Sequence, residues 1–213
     1  MARRFEEFSR SRRERRRKPV LFIICEGSET EVNYFKRFRS RDSLIEIRPF
    51  VSKHKSVLSL VEHARDLIKQ EPYYPEDGDQ LWCVFDRNGN TNEQLAKAET
   101  MAARLNYKIV FSNPCFELWF LLHFTDQRGY LEDAGAVIRL LDAKDILPGY
   151  KKSGNYYDVL RPLQSVAAGR AHALAEIHGS DRKTLIHRDA NPCTTAVLLV
   201  EYLAARKENA ASM

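Results

Sequence analysis

Pro19-Val20-Leu21-Phe22-Ile23-Ile24-Cys25 is an unbroken apolar run that stops abruptly at Glu26-Gly27. A strand with apolar side chains on both faces belongs inside a sheet covered on both sides, which implies parallel strands joined by helices. Ser28 and Glu31 stand at capping-box spacing, and Val32, Phe35 and Phe38 recur at helical intervals, so a helix is expected over 28–40. Residues 44–51 alternate in part like a second strand. Val57, Leu60, Val61, Ala64, Leu67 and Ile68 then mark one face of a helix over 56–69. Beyond a loop at Pro72, Pro75 and Gly78, Leu81-Trp82-Cys83-Val84-Phe85 repeats the opening pattern and ends on Asp86.

Asp86-Arg87-Asn88-Gly89-Asn90 reads as a tight polar loop. Thr91 and Gln94 form a second capping box for a helix over 91–105, and residues 107–111 make a short fourth strand. The order β-α-β-α-β-α-β predicts an α/β fold with a mainly parallel four-stranded sheet flanked by helices. The rest of the chain reads as a helical C-terminal half. Asn113-Pro114 is taken as an N-cap and first-turn proline opening an apolar helix to Phe124, and Asn191-Pro192 as the same start signal for a helix carrying Ala196, Val200 and Leu203. Further helices are expected at 131–141 and 156–178, around a polar loop at 148–154. One domain is expected over 19–205, between an arm at 1–18 and a tail at 206–213.

Composition narrows the class. No apolar run approaches the ~20 residues that span a bilayer, and the arginine-rich start lacks a secretory h-region. The expectation is a cytoplasmic protein without a membrane partner. Cys25, Cys83, Cys115 and Cys193 are widely separated and show no Cys-x-x-Cys pair, so they read as reduced buried thiols. Residues 1–18 hold nine basic against three acidic groups, while the whole chain is only +5. Such an arm, with Arg12, Arg13, Arg15, Arg16 and Arg17 at its centre, suits the phosphate backbone of DNA or RNA, or else a solvated tail. There is no phosphate-binding Gly-x-x-x-x-Gly-Lys-Ser/Thr loop, no Gly-x-Gly-x-x-Gly and no Gly-x-Ser-x-Gly.

In an open parallel sheet, functional side chains collect where strands leave the sheet at their carboxyl ends. Glu26 and Asp86 both stand there. If their strands are neighbours, the two carboxylates converge on one hard cation, Mg²⁺ or Mn²⁺, with Asn88 adding a carbonyl ligand. Glu31 is either half of a capping box or a group near that ion. Glu117, one acid in an apolar helix, needs a partner, which is either a structural base or the site itself. Lys151, Lys152, Arg182, Lys183, His187 and Arg188 supply cations in later loops, as phosphate contacts or as solvated surface charge. His123 and His172 fall on apolar helical faces and read as core or boundary residues.

Three blocks together resemble the RloB-like family: Cys25-Glu26-Gly27-Ser28-Glu29-Thr30-Glu31-Val32-Asn33-Tyr34-Phe35, Phe85-Asp86-Arg87-Asn88, and Ser112-Asn113-Pro114-Cys115-Phe116-Glu117-Leu118-Trp119 through His123-Phe124. Tyr150-Lys151-Lys152 and Asn191-Pro192-Cys193-Thr194 fit its later blocks, so the likeness spans about 19–205. The resemblance implies a Toprim-like fold and Mg²⁺-dependent phosphodiester chemistry in prokaryotic anti-phage defence, often beside a separate ATPase subunit. It implies that Glu26 is the Toprim glutamate and Asp86 the first acid of an Asp-x-Asp pair, and it draws Glu117 and Lys152 towards the site. Asn88 departs from the pattern by replacing the second acid. The functions left open are a nuclease with Glu31 or Lys152 assisting, a non-catalytic subunit that binds nucleic acid or an ATPase, and a nucleotide phosphotransferase or phosphatase. A homo-oligomer is also open.

Overall fold

The computed structural model describes residues 17–211 apart from 42, 55 and 180–183, and side chains only as far as residue 206. In chain order the elements are β1 (Val20–Cys25), α1 (Thr30–Lys36), β2 (Glu46–Val51), α2 (Val57–Ile68), β3 (Gln80–Asp86), α3 (Asn92–Arg104), β4 (Lys108–Asn113), α4 (Glu117–Phe124), α5 (Ala134–Leu141), α6 (Tyr157–Leu160), α7 (Gln164–Gly179), β5 (Cys193–Thr194) and α8 (Ala196–Ala211). They form a five-stranded sheet in the order β2-β1-β3-β4-β5. The first four strands run parallel and β5 runs antiparallel to β4.

Alternation along β1 explains its uniformly apolar sequence. Leu21, Ile23 and Cys25 point into a core with α1, α4, α7 and α8, while Val20, Phe22 and Ile24 point into a second core with α2 and α3. β3 divides likewise, with Trp82 and Val84 on one side and Leu81, Cys83 and Phe85 on the other. All four cysteines are buried and free. Among the described residues, no helix is long and apolar enough to cross a membrane.

β2 is the open edge of the sheet. Glu46 and Ser52 donate their N–H groups to Pro19 and Cys25 of the β1 side, so the odd-numbered residues between them turn their backbone outward. On that outer side Arg39 donates its Nε–H to the Ile47 carbonyl at 2.8 Å, and Pro49 has no N–H to offer.

Several local expectations change. The Thr91–Gln94 capping box is present in both halves, at 3.3 and 2.8 Å. The Ser28–Glu31 box is not: α1 starts at Thr30 with Glu29 as an N-cap making no side-chain bond, and the Glu31 carboxylate turns inward. Asn113 is no N-cap either. It closes β4, the Asn113-Pro114 bond is cis, and α4 begins only at Glu117. The Asn113 amide instead donates to the carbonyls of His187, Arg188 and Ala190. Asn191 pairs through its amide with both backbone groups of Leu131, and after its cis bond to Pro192 the chain forms β5 before α8. The sheet therefore has a fifth strand. The single helix expected over 156–178 is interrupted at Arg161–Leu163, where Pro162 withholds a helical N–H. α8 runs past residue 205 to Ala211, across the expected tail boundary.

Candidate functional site

β1 and β3 are direct neighbours, with Cys25 in register with Val84. Glu26 follows Cys25 directly and Asp86 closes β3 two residues after Val84, so the two acids stand at adjacent strand ends. The Glu26 N–H donates to the Val84 carbonyl at 2.9 Å, and the Glu26 carboxylate accepts the Asp86 N–H on Oε2 at 3.1 Å. Its Oε1 accepts a hydrogen bond from the Asn88 side-chain amide. Asn88 has φ of 40°, a left-handed conformation that asparagine tolerates, and this turns its amide back over the strand end. Asn88 thus presents its amide nitrogen to Glu26, and its Oδ1, the ligand the sequence suggested, takes no part in that bond.

Glu26, Glu29, Glu31, Asp86 and Glu117 line one cavity of about 760 Å³, together with Thr30, Ser56, Asn88, Asn90 and Lys152. Glu31 is 5% exposed. Its Oε1 accepts the Gly27 N–H at 3.3 Å, and a side chain at position 27 would overlap the Glu31 carboxylate. Glu117 is 2% exposed at the first turn of α4. Its Oε1 accepts from Thr30 Oγ1 at 2.9 Å, Tyr150 OH at 3.3 Å and Lys152 Nζ at 3.3 Å. The sequence required a partner for this buried acid. The structure supplies Lys152, from the loop before α6, and adds Thr30 and Tyr150, which sequence reasoning missed. The signal for Thr30 was its place beside Glu31, on the first turn that faces the strand ends.

The electrostatics are uneven. Burial, reinforced by Glu31, Glu117 and Glu26, pushes the Asp86 carboxyl well above its usual range, and Lys152 only partly offsets this. Its Oδ1 is shielded from solvent and has no hydrogen-bond partner among the described residues. Burial also raises Glu26, against the hydrogen bonds from Asp86 and Asn88. Glu31 is pushed up to about 7, chiefly by burial and also by Glu117, with its own backbone, Lys152 and Gly27 pulling the other way. At Glu117 burial is outweighed by the Lys152 ammonium and by hydrogen bonds including those from Cys115 and Thr30, so it lies below the usual range. Burial works against the charge of Lys152, and Glu117 overcomes it.

A buried carboxylate oxygen without a donor, among acids that raise one another, is the environment a divalent cation relieves. Among the described residues no three His, Cys, Asp or Glu side chains are already grouped as a cage. Mg²⁺ does not require one, since it is commonly held by one or two carboxylates and retains several waters. The donor set is one that a hard cation could use, through Asp86 and Glu26 with Glu31 beside them.

The remaining site candidates separate. Arg12, Arg13, Arg15, Arg16, Arg182 and Lys183 lie outside the described residues. Arg17 grips Asp79 through its two terminal guanidinium nitrogens, at the amino end of β1 and away from the cavity. Arg188 donates to the Asn90 carbonyl at 2.6 Å and so holds the loop behind the site. Lys151 is exposed, and its N–H is bonded to the Tyr156 hydroxyl. His123 is buried as expected, with Nδ1 on the Trp119 carbonyl at 2.8 Å. His172 is not core; it is exposed and pairs with Glu201.

These features define an α/β protein with an acidic cavity where two adjacent parallel strands end. The chain matches the family model described as RloB-like protein over residues 21–203, and it belongs to that family. No curated protein and no solved structure matches it.

Proposed function

We propose that this chain is a Toprim-like, Mg²⁺- or Mn²⁺-dependent nuclease that hydrolyses phosphodiester bonds in DNA or RNA, acting in prokaryotic anti-phage defence. The observation that carries the reading is the partnerless, solvent-shielded Oδ1 of Asp86, set among Glu26, Glu31 and Glu117 in one cavity. The defence setting rests on what the family resemblance implies. A bound divalent ion would polarise the scissile phosphate and lower the pKa of a water nucleophile. Asp86 and Glu26 would hold it, with Asn88 keeping Glu26 in place through its amide. Glu31, titrating near neutrality, is suited to take a proton from water. Lys152, whose charge Glu117 keeps in place, would face the phosphate.

The test is cleavage of supercoiled plasmid, single-stranded DNA and RNA by the purified chain with Mg²⁺ or Mn²⁺, beside Glu26→Ala. Cleavage lost in the variant supports the reading; equal residual activity in both proteins rejects it.

One observation favours a second reading. Because Asn88 donates to Glu26 where the family pattern has an acid, the site carries one negative charge fewer. That suits a non-catalytic subunit that binds nucleic acid or a separate ATPase. Under it, removing residues 1–18 abolishes nucleic-acid binding and Asp86→Ala changes nothing.

A further inference from the structure

The two ends of the acidic cavity are neutralised differently. At one end Glu117 Oε1 already accepts three donors, from Thr30, Tyr150 and Lys152. At the other end Asp86 Oδ1 accepts none. Among the described residues that line the cavity, Lys152 is the one cationic side chain.

The loop carrying Lys152 is held from several directions. Asp142 Oδ1 accepts the N–H groups of Gly149 and Tyr150 at 2.6 and 3.1 Å. The Tyr156 hydroxyl accepts the Lys151 N–H at 2.8 Å, and the Lys151 carbonyl accepts the Gly154 N–H at 2.8 Å. The rings of Tyr150 and Tyr156 stack at 5.1 Å between centroids. Gly154 is pressed against the Tyr156 ring, where a Cβ would come within 2.6 Å. A free surface lysine needs none of this. The bracing delivers an ammonium group to one carboxylate oxygen, and among the described lining residues no cation stands at the other end of the cavity.

We infer that the cavity takes one divalent ion, not two, at the Asp86 end, and that the Lys152 ammonium occupies the place of a second ion at the Glu117 end. This rests on the metal-dependent reading above and specifies how the positive charge in that site is divided. A second ion would have to compete for Glu117 Oε1 against three donors and approach the Lys152 ammonium closely. At the Asp86 end neither obstacle exists.

The experiment is a Mn²⁺ titration of the full chain, with free Mn²⁺ followed by electron paramagnetic resonance and Mg²⁺ added as competitor. The wild type should bind one competable ion per chain, and Lys152→Met should bind two. Lys152→Arg should still bind one, and Glu117→Gln added to Lys152→Met should return the count to one. The Lys152 side chain is half exposed, so the variants should fold, which circular dichroism checks. Two ions in the wild type, or one in Lys152→Met, overturn the inference and leave the metal-dependent reading standing. No ion in the wild type overturns both.

Discussion

The Glu31 carboxylate lies against Gly27, close enough that any side chain at position 27 would occupy its space. Glycine is required there to leave room for the carboxylate, and the Gly27 φ is not in the left-handed region. Gly27→Ala should therefore drive Glu31 out of its place while disturbing the backbone little. Divalent-ion affinity should fall about tenfold or more, equivalent to about 1.4 kcal/mol, in a Mn²⁺ titration. Gly89→Ala, in the same cavity but with nothing near its Cβ position, is the control and should bind normally.

Asp86 should weigh against folding when no ion is present. Its carboxyl is held above the ordinary range in the folded chain, so near neutrality the unfolded chain binds fewer protons at this group. Stability in chelator should accordingly rise as pH falls from 7 towards 5. Asp86→Asn in chelator at pH 7 should melt about 2–4 °C higher than the wild type, the effect of about 1 kcal/mol in a chain this size. The same variant should lose the upward shift in melting temperature that Mg²⁺ gives the wild type. A lower melting temperature in chelator would refute the account.

Asn88→Asp replaces a donor to Glu26 with a second negative charge. Repulsion between carboxylates should lower the melting temperature in chelator, and the added ligand should raise Mn²⁺ affinity about tenfold. Calorimetric titration and thermal melts read both effects. If affinity is unchanged, Asn88 has no place near the ion.

His123 makes a separate contribution to pH dependence. Burial pushes its imidazole down to about 4, and its Nε2 has no hydrogen-bond partner among the described residues. The folded chain holds it neutral while the unfolded chain protonates near 6.5. Stability should then be lost as pH falls through that value towards 4, amounting to about 2 kcal/mol between pH 7 and 5. The stability difference between wild type and His123→Met, measured by urea unfolding at several pH values, should shrink by that amount. This slope is opposite in sign to that from Asp86, and the two variants separate them.

Arg17 belongs to the fold more than to the basic arm. Asp79, fully buried, accepts the Arg17 guanidinium and the N–H groups of Val20 and Tyr74, so it ties the amino end of β1 to the loop before β3. Arg17→Ala should cost about 1–3 kcal/mol by uncovering a buried carboxylate. It should leave the salt dependence of nucleic-acid binding unchanged. Replacing Arg12, Arg13, Arg15 and Arg16 together should instead flatten that salt dependence without lowering the melting temperature.

The parallel sheet and the strand-end places of Glu26 and Asp86 were legible because apolar runs with covered faces specify central strands, and strand ends specify where polar groups emerge; that their two strands are neighbours comes from the sheet order. What was not legible depends on contacts between distant segments. The two Asn-Pro pairs carry the local signature of helix starts, yet their amides serve carbonyls far away in sequence, and a two-residue strand such as β5 has no periodicity to read. Lys152 and Tyr150 reach Glu117 across more than thirty residues, so spacing alone left their role open. Ser28 and Glu31 had the spacing of a capping box, but burial in an acidic cavity claimed Glu31 first.

The outer backbone of β2 has less to offer a further strand at two successive outward positions, because the Arg39 guanidinium takes the Ile47 carbonyl and Pro49 has no N–H. A chain that concentrates on a nucleic-acid polymer would bring many such edges together. If copies were crowded along such a polymer, these two withheld positions would oppose pairing of one sheet edge with another.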